Sequence, residues 1–302
     1  MKSKQDYLRM LFGEPKAREE NSVLDRIQST LPLSKQFKYF KFSVDDLINQ
    51  QNIFYSNKQR NNKHIGNAVA LEEAYTQLGD EGIIASMPYL IAGKAESEKD
   101  NYLWQDWFTA LSEENVGIDT KGNFVKKGKP VVITVHGGGI LTPERIFQAY
   151  GDGLTSQNSA KYTNEEFEQL LNGKINGESI EIYSIDDVMK GNIKNPFGKY
   201  AIVLDFDVAK NTKSDYFDKK DFMKNPLVLA RAGTLEYLDV YFEKAKHSDG
   251  TVGNSHRLND IDPKQPQGRV LYLNIDYNWL DGSISLDNDG RFVGVGVGDA
   301  KR

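Results

Sequence analysis

Apolar positions along this chain fall into short runs separated by polar, capped segments. Val131-Val132-Ile133-Thr134-Val135 and Ala201-Ile202-Val203-Leu204 are runs of largely β-branched or aliphatic residues that predict buried strands. Leu227–Ala230, Gly82–Met87, Arg269–Tyr277 and Arg291–Val297 predict further strands, and Phe37–Phe42 one more near the start. Helical spacing is clearest over Ala68–Leu78, and Leu103, Trp104, Trp107, Phe108 and Leu111 recur as one apolar face between Ser97 and Glu114. Short helices are expected at Ser3–Leu11 and Ser22–Leu31, with Pro15 and Pro32 as punctuation. Asn49–His64 is amide-rich and reads as a surface segment.

Capping residues sharpen the boundaries. Ser43 and Ser184 each precede an Asp-Asp pair three residues into a helix, and Thr163 precedes Glu166 at capping-box spacing, its helix ending near Gly173. Thr142 stands before Pro143, an N-cap followed by the one helical position where a missing N–H costs nothing. Thr234 is expected to cap a helix reaching about Lys246. Asp119–Gly122 and Asp287–Gly290 read as turns between strands. The likeness of Ser43–Ile48 to Ser184–Met189 reflects shared capping chemistry rather than duplication.

Strands and helices alternating after about residue 116 predict an α/β fold. The expected architecture is a three-layer core with a mixed, mainly parallel sheet over 116–302, preceded by a mixed, mainly helical region over 1–115. Composition narrows the class. The 302 residues are 39% hydrophobic and 27% charged, with no apolar run long enough for a membrane span. Zero cysteines exclude disulfides and thiolate chemistry, and the N-terminal residues lack signal-peptide order, which points to the cytoplasm. The net charge of −5 argues against broad nucleic-acid binding.

Candidate chemistry centres on His136-Gly137-Gly138-Gly139, at the end of the Val131 strand and just before the Thr142 cap. Three glycines leave backbone N–H groups free to approach an anion, and a helix N-terminus adds positive potential. Gly137, Gly138, Gly139 and Thr142 would line that site, with Arg145 reaching it from the first turn and His136 moving a proton. His136 as a strand terminator bonded to backbone is the plain alternative. The four residues resemble the oxyanion-hole motif of α/β-hydrolase lipases and esterases, but no Gly-x-Ser-x-Gly follows; Gly253-Asn254-Ser255-His256-Arg257 lacks the second glycine.

Asp205 and Asp207 close the second apolar strand, and period-two geometry would point both to one side. Their segment resembles the first motif of haloacid-dehalogenase-type phosphotransferases, departing from it at Ala209. With Asp276 at the end of Leu271–Ile275, these carboxylates would suit Mg2+ or Mn2+ if the strands ran parallel. His256 and Arg257 sit in a polar stretch, Thr251–Pro263, able to complete a site or merely connect elements. The four histidines show no His-x-x-x-His spacing, and Ser285–Gly290 has Gly296 where an EF-hand loop needs glutamate.

These features together predict a metal-assisted hydrolase or transferase acting on a phosphate-bearing small molecule or nucleotide. The alternatives are a non-catalytic protein that binds an anionic ligand, and a structural or assembly protein. Oligomeric state is not legible.

Overall fold

The computed structural model describes residues 42–60, 63–79, 82–274 and 278–296. The expected helices at Ser3–Leu11 and Ser22–Leu31 and nearly all of the Phe37–Phe42 strand lie outside these residues, as does Asp276.

The central sheet is built on one long hairpin. Strand β3 (Phe108–Asp119) pairs antiparallel with β4 (Lys129–His136), and the Asp119 carboxylate holds the connection by accepting from Gly122 N at 2.7 Å and Phe124 N at 2.8 Å. On one side follow β6 (Tyr200–Asp205) and β5 (Glu181–Ser184); on the other come β9 (Gln267–Leu273), β10 (Leu280–Gly282), β8 (Val252–His256) and β7 (Asp215–Phe217). The spatial order is β5-β6-β4-β3-β9-β10-β8-β7, and the short Ala160–Lys161 strand also pairs with β9. A second, three-stranded sheet sets β11 (Gly290–Val295) between β1 (Asn52–Ser56) and β2 (Ile83–Ile84).

The mainly parallel three-layer core is therefore corrected. Among the described residues only the β5–β6 and β8–β10 pairings are parallel; every other pairing is antiparallel. The misleading signal has a physical cause. Along β4, Val132 joins one apolar cluster while Val131, Ile133 and Val135 join another. A sheet buried on both faces gives continuous apolar strands whatever the strand direction, although such runs are typical of parallel sheets.

Helices α1 (Gly66–Leu78), α2 (Met87–Glu96), α3 (Pro143–Asp152), α4 (Asn164–Leu171), α5 (Pro226–Ala232) and α6 (Leu238–Ala245) supply much of the covering layers. Thr142 caps α3 through Arg145 N, and Ser43, Thr163 and Ser184 form the expected capping boxes. Three expectations fail. The segment carrying Trp104, Trp107 and Phe108 is a single 3-10 turn, Tyr102–Trp104, leading into β3. Leu227–Ala230 is helical, because Asn225 accepts from Leu227 N and Val228 N and Pro226 occupies the first turn. Thr234 lies ahead of α6, whose N-cap is Tyr237. The 49–64 segment also contains more order than expected, namely β1 and a small ribbon of Gln59–Arg60 with Lys63–His64. The proposed boundary at residue 115 falls within β3. No described helix is long and apolar enough to cross a membrane.

Candidate functional site

The glycine loop wraps a carboxyl group, and that group is the protein's own. Glu113, in the middle of β3, accepts from Ile140 N at 2.8 Å through Oε1 and from Leu141 N at 2.9 Å through Oε2. Asn115 Nδ2 donates a third bond at 3.1 Å. Burial pushes the Glu113 carboxyl above its ordinary range, while the bonds from Leu141, Ile140 and Asn115 pull it back. A Cβ on Gly139 would collide with this carboxylate, and one on Gly137, at φ +72°, would meet the Gly198 carbonyl at 2.6 Å. Gly137 N and Gly138 N both turn to the Leu111 carbonyl, at 3.0 and 3.3 Å. Arg145 is also spoken for: Nε donates to Glu166 at 2.9 Å and a terminal nitrogen to the Lys161 carbonyl. Two N–H groups and the arginine expected to hold a ligand thus hold the fold.

His136 is fully buried. Its Nε2 lies 2.9 Å from the Ala230 carbonyl, which only accepts, so that nitrogen carries the proton. Nδ1 then accepts from Ser112 Oγ at 2.8 Å, and that hydroxyl accepts from Met87 N at 2.9 Å. Burial lowers the imidazole to about 4, so it is neutral and has no water-facing side from which to exchange a proton with a ligand. It ties β3, β4, α2 and α5 together.

Asp205 and Asp207 lie at the other end of the sheet. Strand β6 runs antiparallel to β4, placing Tyr200 opposite His136 and Asp205 opposite Val131. Five residues at about 3.3 Å each put the aspartates on the order of 17 Å from His136, beyond a shared ion. Nor do they share a side by strand geometry, because the chain turns helical at Phe206. Asp205 is the N-cap, accepting from Asp207 N at 2.8 Å and Val208 N at 3.1 Å, while Asp207 is exposed in the first turn. Among the described residues no three histidines, cysteines, aspartates or glutamates cluster as metal ligands would. His256 is largely buried, its Nε2 donating to the Thr212 carbonyl at 2.8 Å and its Nδ1 accepting from Leu258 N at 3.2 Å. Arg257 is exposed before a 3-10 turn.

Several residues that organise the molecule gave no sequence signal. Glu114 points to the opposite face from Glu113 and meets Arg231, itself fully buried, at 2.8 Å. Arg231 also donates to Asn254 Oδ1 at 2.7 Å and to the Ser255 and Leu280 carbonyls. Adjacent glutamates in a strand look like a solvated stretch until their separate partners are known.

The surface offers a different arrangement. Tyr55 on β1, Trp107 before β3 and Arg291 on β11 converge, with the Arg291 guanidinium 4.8 Å from the Tyr55 ring centre and 5.1 Å from that of Trp107. Arg291 pairs with Asp106, and Tyr55 donates to Asp289 at 3.1 Å. His64 Nδ1 lies 3.3 Å from the other Asp289 oxygen. Tyr55 is 43% exposed, so the cluster faces solvent without being loose. The neighbouring 283–289 segment combines half-exposed Ser283, Ile284, Ser285, Asp287, Asn288 and Asp289 with buried Leu286. Its backbone is pinned from below: Tyr150 Oη and Asn67 Nδ2 both donate to the Leu286 carbonyl at 2.9 Å, Leu286 N donates to the Asn158 carbonyl at 2.9 Å, and Asn67 N donates to the Asn288 carbonyl at 3.2 Å. The half-exposed side chains are engaged as well: Ser283 Oγ donates to Asp281, Ser285 Oγ accepts from Asn158 Nδ2, Asn288 Oδ1 accepts from Asp289 N, and Ile284 packs on the core.

Neither a family model nor a curated protein matches this chain. A solved structure does, described as "Accommodation of massive sequence variation in Nanoarchaeota by the C-type lectin fold", at 26% identity and a TM-score of 0.60 over 82% of this chain and 99% of that one. The antiparallel, β-rich architecture and this likeness overturn both the α/β phosphate-binding fold and the metal-assisted hydrolase or transferase built on it. In fold, this chain is similar to a C-type lectin-fold protein.

Proposed function

We propose that this chain is a non-enzymatic recognition protein that binds a protein partner through the Tyr55–Trp107–Arg291 surface and the adjoining 283–289 segment. The observation that carries this reading is the convergence of Tyr55, Trp107 and Arg291 in one cluster that reaches the surface. The adjoining 283–289 segment is fixed through its backbone by Tyr150, Asn67 and Asn158, and Asp289 ties it to Tyr55. A surface so built tolerates changes of side chain without changes of fold, the property named for the similar Nanoarchaeota protein. Aromatic rings and arginine are the residue types that most often dominate protein interfaces, and carboxylates beside them pre-organise the arginine.

A labelled full-length chain applied to an array of proteins and glycans tests the reading. Proteins retained by the chain should lose about tenfold or more in affinity to Trp107→Ala and Arg291→Ala variants that keep the parent circular dichroism, a loss of about 1.4 kcal/mol. Val208→Ala, on an exposed site of the short Phe206–Lys210 helix, should leave affinity unchanged. Equal binding by all three variants overturns the assignment of this surface, and retention of glycans alone overturns the protein partner.

A further inference from the structure

Strand β1 is an outer strand of its three-stranded sheet, paired on one side only, with β11. Successive residues of an antiparallel strand turn their backbone groups to opposite sides. Arg291 N donates to Thr109 Oγ1 at 3.1 Å, and the Val293 carbonyl accepts from Ala85 N at 2.8 Å, so these two residues of β11 direct their backbone groups away from β1. Their partners across the ladder are Tyr55 and Ile53. Tyr55 and Ile53 therefore turn their own groups out of the sheet's edge, and Asn52, Phe54 and Ser56 face β11. Ile53 N bends back to the Gln51 carbonyl at 3.1 Å. The Tyr55 N–H and the carbonyls of Tyr55 and Ile53 have no partner among the described residues.

This edge also lacks the usual guards. Asn52–Ser56 contains no proline and no charged residue, and its register with β11 runs unbroken over all five residues. Native edges are normally blunted by such devices, because an open ladder pairs with any strand that reaches it. The far edge of the central sheet shows one: the Asp215 carboxylate accepts from Tyr216 N on β7 at 2.8 Å. On β1 the side chains beside the open groups are apolar and exposed, Ile53 at 37% and Tyr55 at 43%. Both lie on the face that carries Arg291, which stands opposite Tyr55, and Tyr55 packs edge-on against Trp107. Phe54 and Ser56 are buried on the other face.

The open groups define what fits them. A donor and two acceptors at the two-residue repeat of a strand are matched by another extended backbone, whereas a helix spends the same groups internally. We propose that β1 is a strand-addition edge: the protein partner presents an extended segment that joins the sheet beside β1, with apolar side chains at alternate positions against Ile53 and Tyr55. The inference rests on the recognition reading and adds to it the conformation and the pattern of the bound segment.

Linear peptides selected on the full chain from a random displayed library, then synthesised, are the probes. Tyr55→Ala removes the ring alone, whereas Tyr55→Pro also removes the N–H that the peptide would use; an edge strand accommodates proline where its N–H faces outward. Affinity should fall about tenfold or more further in Tyr55→Pro than in Tyr55→Ala. Hydrogen exchange reads the same bond in the parent chain, should Tyr55→Pro fold poorly: the Tyr55 amide should exchange freely in the dilute chain and become protected when a peptide is added. Equal affinity in the two folded variants, no selectable peptide, or a Tyr55 amide already protected in the dilute chain overturns the open edge. Protection that grows with chain concentration alone gives the edge to a second copy and overturns a separate partner. If Trp107→Ala and Arg291→Ala lose the peptide while both Tyr55 variants bind alike, strand addition falls and the recognition surface stands. Loss in Tyr55→Pro with none in those two variants upholds the edge and removes the aromatic surface.

Discussion

Glu113 and Gly139 show how strongly one residue can depend on another here. The carboxylate accepts two backbone N–H bonds from the loop, and Gly139 leaves it the space to do so. Replacing Glu113 with Gln leaves one donor of the loop without an acceptor, an expected loss of about 1–3 kcal/mol in urea unfolding. Gly139→Ala should also destabilise, and the two changes together should cost less than their sum, since both act on one contact. His136 gives a pH prediction. Its folded value is lowered to about 4 from an ordinary 6.5, so the unfolded chain takes up a proton that the folded chain refuses. Stability from this group is full above pH 6.5 and falls as pH drops towards 4, by about 3 kcal/mol in total. Glu113, raised by burial, acts in the opposite sense at acid pH. The difference in unfolding free energy between parent and His136→Gln, measured from pH 7 to 4, isolates the histidine; a difference that does not change with pH would contradict the assignment.

At the scale of elements, the interior of β3 and the short helix α5 form one joint. Arg231 on α5 reaches Glu114 on β3 and two backbone carbonyls on β8 and β10. Glu114→Gln should destabilise by about 3–5 kcal/mol because a buried guanidinium is left without its counter-charge. Arg231→Met combined with Glu114→Gln should recover part of that loss in the same denaturation assay. Helix α5 itself was within reach of the sequence. Asn225-Pro226 is a cap followed by a proline at the first helical position, and Gly233 stops the helix at φ +67°. Reading Leu227–Ala230 as a strand gave its apolar run more weight than those local signals. No comparable clue existed for β3, where the buried Ser112-Glu113-Glu114-Asn115 stretch resembles a solvated loop. Each of these polar side chains finds its partner on a segment distant in sequence or across a strand.

For the whole molecule, the 283–289 segment should separate tolerance from stability. Ser285→Ala with Asn288→Ala should change the unfolding free energy by less than about 1 kcal/mol, while Leu286→Ala, removing a fully buried side chain, should cost about 2–5 kcal/mol. Similar losses for both variants in urea unfolding would show that the exposed side chains hold the backbone after all. The same arrangement places residues from β1, the approach to β3, and β11 on one surface, although they are far apart in the chain.

Elements whose causes are local are legible in the sequence before folding is considered. The Ser43, Thr142, Thr163 and Ser184 caps, the Asp119 turn and the buried runs of β4 and β6 follow from nearby hydrogen-bond donors, fixed φ angles and apolar continuity. The sequence also marked the glycine loop as a place of accessible backbone N–H groups, but not that Glu113 would take up those of Ile140 and Leu141. Tertiary structure decided strand direction, because burial on both faces leaves the same apolar run in parallel and antiparallel strands. Direction in turn put Asp205 at the opposite end from His136, separating two residues that a parallel pairing would have brought to one end. It also decided that Glu113 takes up the loop's N–H groups from within. A carboxylate on β3 meets N–H groups beyond β4 only after the sheet has folded, so no local pattern records their encounter.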